Sequence, residues 1–313
     1  MTLKISYVFM GTPDFAVPTL RTLARAGIMP KLVVTQPDRP KGRGRKSLPP
    51  PVKTAAIELG CDVVQPTNLA DPDFKNRLAS LSPDFFVVVA YGHILTSELL
   101  ALPNIAPINL HASLLPKYRG AAPIQRAVMD GEEETGITTM RMDRGMDTGD
   151  ILLTEKTAID PMDTSGSLHD RLADMGGDLM LRTMEGMLSG QLAPKPQDHS
   201  RATYAPMLKK ADGHIDWALP VSRIFCQIRG VTPWPGAFTF HNDTRLKIHR
   251  ARPIPEPVSQ PPGTVLKTFP GELRINTGNG VLQVLDIQSA SGRRLPAQDF
   301  LRGYRLNPGD RLS

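Results

Sequence analysis

The chain has 313 residues and a mass of 34.2 kDa, 40% of it hydrophobic and 22% charged. That exceeds one domain of about 100–200 residues and excludes a disordered chain, a collagen-like repeat and a small disulfide-stapled scaffold. The net charge of +6 is unevenly spread: residues 1–206 hold 22 Lys/Arg against 23 Asp/Glu, whereas residues 207–313 hold 15 against 8, a net +7 that suits a polyanionic partner.

The chain runs directly into a strand-like stretch from Ile5 to Met10, so no secretory or transit segment is expected. Two distant cysteines, Cys61 and Cys226, fit a reducing compartment, and a cytoplasmic, bacterial-type location is expected. A helix from Phe15 to Gly27 follows the first strand. Further strands are expected at Leu32–Thr35, Asp62–Gln65, Phe85–Ala90 and Ile105–His111, with helices at Val52–Leu59 and Asp73–Leu81 between them. This alternation predicts an α/β domain with a mostly parallel, doubly wound sheet. After a helix at Ile124–Asp130, strands at Gly136–Met142 and Ile151–Ile159 and a long amphipathic helix at Ser165–Leu188 complete a first domain, residues 1–189. Residues 190–206 are rich in proline and polar residues and read as a linker. Residues 207–313 carry a helix near Val221–Arg229, then short strands punctuated by turns, which predicts a small C-terminal β-barrel of OB-like type.

One segment interrupts the α/β pattern. Residues 36–53, QPDRPKGRGRKSLPPPVK, are too rich in proline and glycine for a helix or strand and carry Arg39, Lys41, Arg43, Arg45, Lys46 and Lys53. By composition this is a solvated loop. Its place after the carboxyl end of a parallel strand is where open α/β sheets bind ligands.

The first βα turn, Gly11-Thr12-Pro13-Asp14, has one glycine where a dinucleotide cradle has three, which disfavours nicotinamide or flavin. The seven histidines form no close pair, so no metal site is expected. Asn109 and His111 lie two apart at the end of a strand and share a face. An amide beside an imidazole suits acyl transfer: Asn109 can bond the oxyanion of a tetrahedral intermediate, and His111 can stabilise the same charge or move a proton. Ser113, Leu114, Leu115 and Pro116 then form an apolar loop able to wall a flat ring system. In Gly145–Asp150, GMDTGD, Asp147 can aim a carboxylate at the imidazole; an Asx-turn without a catalytic role is the alternative. No nucleophile motif is present, so direct transfer between two bound substrates is expected.

These residues resemble the folate-dependent formyltransferases almost end to end. The resemblance is carried by FMGTPDFAVPTL at 9–20, TQPDRPKGRGRK at 35–46, VVVAYGHIL at 87–95, the stretch 109–125, ETGITTMRMDRGMDTGDIL at 134–152, HIDW at 214–217, PWPGA at 233–237 and DFLRGYRLNPGDRL at 299–312. It implies a catalytic trio of Asn109, His111 and Asp147, folate contacts at Ser113, Leu114, Leu115 and Pro116, and a tRNA-contacting loop with Arg39, Lys41, Arg43, Arg45 and Lys46. The co-substrate implied is 10-formyl-tetrahydrofolate, without a metal. Relatives of this family formylate a ribonucleotide or an amino sugar, or hydrolyse the folate. The basic loop together with the basic second domain points to the branch that formylates the amino group of initiator methionyl-tRNA, acting as a monomer away from membranes.

Overall fold

The computed structural model describes residues 5–41, 46–266 and 271–313. Backbone contacts divide the chain into two compact units that are discontinuous in sequence. The first comprises residues 1–120, 134–158 and 169–205; the second comprises residues 121–133, 159–168 and 206–313. A boundary drawn by composition at 189 and 207 therefore leaves out two segments that group with the C-terminal part.

In chain order the elements are β1 (Tyr7–Gly11), α1 (Val17–Arg25), β2 (Leu32–Val34), β3 (Arg39–Lys41), β4 (Lys46–Leu48), α2 (Pro51–Glu58), β5 (Val63–Val64), α3 (Pro72–Ser80), β6 (Phe85–Val89), α4 (Ser97–Leu100), β7 (Ala106–His111), α5 (Pro123–Asp130), β8 (Glu134–Arg141), β9 (Ile151–Ala158) and α6 (Ser165–Leu188). The first unit is built on a seven-stranded sheet ordered β5-β2-β1-β6-β7-β8-β9. It is parallel through β7 and antiparallel for β8 and β9. A parallel sheet needs cover on both faces, which explains the near-continuous apolar runs of β1 and β6. On one face Val8, Met10, Val34, Phe86 and Val88 pack with Phe74 and Leu78 of α3. On the other, α6 lies so close to β7 and α1 that a Cβ on Gly176 would meet Leu110 Cδ2 at 2.4 Å, and one on Gly177 would meet Thr22 Cβ at the same distance.

The expected strands and helices of this unit are present, with shifts of a residue or two at their ends. The basic segment departs from its reading as a stretch without strands. Arg39–Lys41 and Lys46–Leu48 form a two-stranded antiparallel ribbon in which Pro40 pairs with Ser47. Proline is tolerated there because a ribbon is all edge, so one missing N–H donor disrupts no interior ladder. Arg43 and Arg45 lie outside the described residues.

The second unit holds α5, α7 (Val221–Gly230), β10 (Ala237–His241), β11 (Thr244–Ile254), β12 (Leu273–Asn276), β13 (Val281–Ser289), β14 (Leu295–Pro296) and α8 (Ala297–Gly303). Its curled antiparallel sheet runs β10-β11-β13-β12, with β14 on β13. Bridges from Thr264 and Val265 to Arg311 and Ile275 extend it. Leu246, Ile248 and Ala251 of β11 face a core with Trp217, Ile224, Leu282 and Ile287. The alternate residues Lys247, Arg250 and Arg252 face outward across a bulge between Ile248 and Ala251. Helix α5 packs on α7 through a glycine: a Cβ on Gly230 would meet Met129 Cγ at 2.3 Å and the Gln125 carbonyl at 2.9 Å.

Candidate active site

Parallel strands bring their carboxyl ends to one edge of the sheet, and here that edge is knitted together by side chains. Thr12, just past β1, and Gln36, just past β2, both donate to the carbonyl of Tyr91, just past β6, at 2.9 and 3.0 Å. Asn109 and His111 end the adjacent strand β7. Asn109 pairs in register with Val88 on one side and Met140 on the other; His111 pairs with Thr138.

His111 is 6% exposed. Its Nε2 lies 2.9 Å from the carbonyl of Tyr118. A carbonyl only accepts, so Nε2 carries a proton and Nδ1 is the nitrogen left to face the site. Nδ1 stands 3.6 Å from Asp147 Oδ2, too far for a hydrogen bond and near enough for charge to act. Asp147 thus influences the imidazole through its field, while Tyr118 fixes the ring. The same Oδ2 accepts from the backbone N–H of Gly120 at 2.8 Å. Asp147 adopts φ 54°, the left-handed region that Asp enters more readily than most residues.

The turn carrying Asp147 is closed by a residue that motif reasoning passed over. Asp143 Oδ1 accepts from the Gly145 N–H at 2.9 Å and from Thr148 Oγ1 at 2.7 Å. Asp150, which flanks the turn in sequence, contributes its backbone carbonyl to Arg141. No room exists for a side chain at Gly149, where a Cβ would stand 1.7 Å from the Arg141 carbonyl.

The apolar loop is also fixed from within. Ser113 is fully buried, and its hydroxyl donates to the Lys117 carbonyl at 2.6 Å. Thr138 Oγ1 donates to the Ser113 carbonyl at 2.7 Å and accepts from the Leu115 N–H at 3.2 Å. Ser113 and Leu115 therefore brace the loop, and Leu114 and Pro116 keep partial exposure. Gly136 on β8 makes room for Leu114, since a Cβ there would meet Leu114 Cδ2 at 2.6 Å.

At the base of the basic ribbon, Lys53 is engaged rather than free. Its Nζ meets Asp38 Oδ1 and Oδ2 at 2.8 and 3.0 Å, and Gln65 Nε2 donates to Asp38 Oδ1 at 2.7 Å and to the Gln36 carbonyl at 2.8 Å. These bonds, Lys53 first, hold the Asp38 carboxyl below its ordinary range. Arg39 is exposed, and the backbones of Lys41 and Lys46 pair with each other.

The family model described as Formyl transferase matches residues 3–184, and the model described as Formyl transferase, C-terminal domain matches residues 207–305. The chain belongs to the formyl transferase family. A methionyl-tRNA formyltransferase of Citrifermentans bemidjiense is 47% identical over 97% of this chain and 95% of its own length. One of Heliobacterium modesticaldum is 49% identical over 97% and 99%. In fold, this formyltransferase is similar to a crystal structure of an N-formyltransferase from Helicobacter canadensis, with a TM-score of 0.68 at 18% identity, covering 93% of this chain and 100% of that one. The formyltransferase is an enzyme that transfers a formyl group. Among its described residues no group of three or more His, Cys, Asp or Glu side chains is placed to hold a metal ion, and no helix is long and apolar enough to cross a membrane.

Proposed function

We propose that this formyltransferase moves the formyl group of 10-formyl-tetrahydrofolate onto the α-amine of initiator methionyl-tRNA, with Asn109, His111 and Asp147 at the reacting atoms. The observation that carries the reading is the convergence of His111 and Asp147 within 3.6 Å at the end of the strand that also bears Asn109. The neutral amine attacks the formyl carbon and a C–N bond forms. Asn109 donates to the developing oxyanion, the kind of contact worth about 2.7–4 kcal/mol. The intermediate collapses by breaking the bond to the folate nitrogen. The proton lost by the amine passes to that nitrogen, and His111 Nδ1, in the field of Asp147, is the group placed to move it.

Leu114 and Pro116 wall the folate ring, held by the buried Ser113 and Leu115. The ribbon residues Arg39, Lys41 and Lys46, together with Arg43 and Arg45 of the same basic segment of sequence, take phosphates near the acceptor end, and residues 207–313 form a basic tRNA-binding module. The enzyme works as a monomer in the cytoplasm. The test is formyl transfer from 10-formyl-tetrahydrofolate to charged initiator tRNA, run beside elongator methionyl-tRNA, an amino sugar nucleotide and no acceptor. Transfer confined to methionyl-tRNA, strongest for the initiator, is expected. Formate release without tRNA, or transfer to the sugar, overturns the reading.

A further inference from the structure

Arg119 is 2% exposed, and its guanidinium is held by neutral acceptors. Its Nη2 and Nε donate to Gln197 Oε1 at 2.6 and 3.2 Å, and Nη2 reaches His199 Nδ1 at 3.0 Å. A buried cation is costly, so its partners must be fixed in place to satisfy it. Guanidinium only donates, which forces the oxygen of the Gln197 amide toward Arg119 and its nitrogen the other way. That nitrogen donates to the carbonyls of Asp147 at 2.9 Å and Gly149 at 2.6 Å. Gln197 itself is 6% exposed.

A second grip on Asp147 starts from the same arginine. The main chain of Arg119 pairs with the strap formed by residues 203–205: its N–H donates to the Thr203 carbonyl at 2.8 Å, and its carbonyl accepts from the Ala205 N–H at 2.7 Å. This sets the next residue, Gly120, whose N–H holds Asp147 Oδ2. The side chain of Arg119 thus fixes the Asp147 backbone through Gln197, and its main chain fixes the carboxylate through Gly120.

We infer that Arg119 and Gln197 are positioning residues, which hold Asp147 in the left-handed conformation that aims its carboxylate at His111 Nδ1. The inference rests on the reading of Asp147 as part of the reacting trio. It assigns a chemical task to residues 195–205, a segment whose composition suggests only a connection. A misplacement of about 1 Å at a reacting group can cost about 100-fold in rate, so the grip matters even though neither residue touches substrate.

The experiment is a double-mutant cycle on formyl transfer, with kcat and both KM values measured for wild type, Gln197→Met, Asp147→Asn and the pair. Gln197→Met is expected to lower kcat about 10- to 100-fold while both KM values stay within about twofold. In the Asp147→Asn background the same change is expected to cost nothing further. Equal losses in the two backgrounds, or an unchanged kcat for Gln197→Met, overturn the inference. Near wild-type turnover for Asp147→Asn overturns the reading of Asp147 instead. Gln197→Glu guards against misfolding: it replaces the bond to Arg119 with an ion pair but presents oxygen to two carbonyls. It is expected to keep the thermal midpoint and still lose kcat, whereas full activity for this variant sinks the proposal.

Discussion

At the scale of single residues, the site depends on polar atoms that do no chemistry. Thr138 is fully buried, and its one hydroxyl satisfies both the Ser113 carbonyl and the Leu115 N–H. Thr138→Val conserves volume but leaves those two groups without a partner, at a cost of about 1–3 kcal/mol each. A denaturation series should show the loss, and the KM for the folate donor should rise more than kcat falls, because the loop proposed to wall the folate slackens while His111 and Asp147 keep their own supports. Asn109→Ala should give the opposite pattern, with kcat down about 10²–10³-fold at little change in KM. The three residues proposed to react were open to selection from the sequence because strand periodicity puts Asn109 and His111 on one face and the resemblance supplies Asp147, which the structure sets 3.6 Å from His111. Arg119 and Gln197 were not legible. They are 78 residues apart, no periodicity links them, and a buried arginine paired with a glutamine has no motif.

At the scale of elements, the basic ribbon shows why composition misjudges short strands. Pro40 and the glycines argue against a sheet, yet β3 and β4 need only each other, and their geometry is set from below by the Asp38, Lys53 and Gln65 cluster. Asp38→Asn keeps the shape of the side chain and removes the charge that pairs with Lys53. It should raise the rate of proteolytic nicking within residues 39–46 and weaken binding of methionyl-tRNA, with little effect on thermal stability, since the group is exposed. Because the Asp38 carboxyl is held below its ordinary range, the clamp persists through neutral and mildly acidic pH. It is lost only as pH falls through that depressed value. A ribbon that loosened between pH 6 and pH 8 would contradict this account. The C-terminal strands were easier to anticipate, since turn residues punctuate them and β11 and β12 alternate apolar with polar residues. The short helices α4 and α8 have too few turns for a period to show.

At the scale of the whole molecule, charge and connectivity carry different lessons. The +7 of residues 207–313 survives its ion pairs: Arg250 and Arg294 share Asp286 Oδ2 at 3.3 and 2.6 Å, and Arg274 meets both Glu256 and Glu272, three cations against three carboxylates. With about five phosphates neutralised, the logarithm of the tRNA binding constant should fall against log salt with a slope of roughly −3.5 to −4.5. A slope near zero would remove the electrostatic reading. Connectivity predicts that the chain cannot be cut cleanly at the linker. A fragment ending at residue 206 retains α5 but lacks α7, so Ala122 and Met129, which pack into the C-terminal core, lose that cover. Such a fragment should aggregate or melt well below the intact chain, as read by light scattering and calorimetry. Substituting Met129 with a polar residue should make it more soluble.

The same connectivity has a cost in time. Helix α5 is complete at Asp130, but the partner that covers it is complete only at Gly230, roughly a hundred residues later in synthesis, or about 5–20 s at 5–20 residues per second. Through that interval the Met129 side of α5, emerging from the ribosome, lacks the helix it packs on. The nascent chain therefore offers a holding chaperone a defined target, which vanishes once Gly230 has been added and α7 has formed.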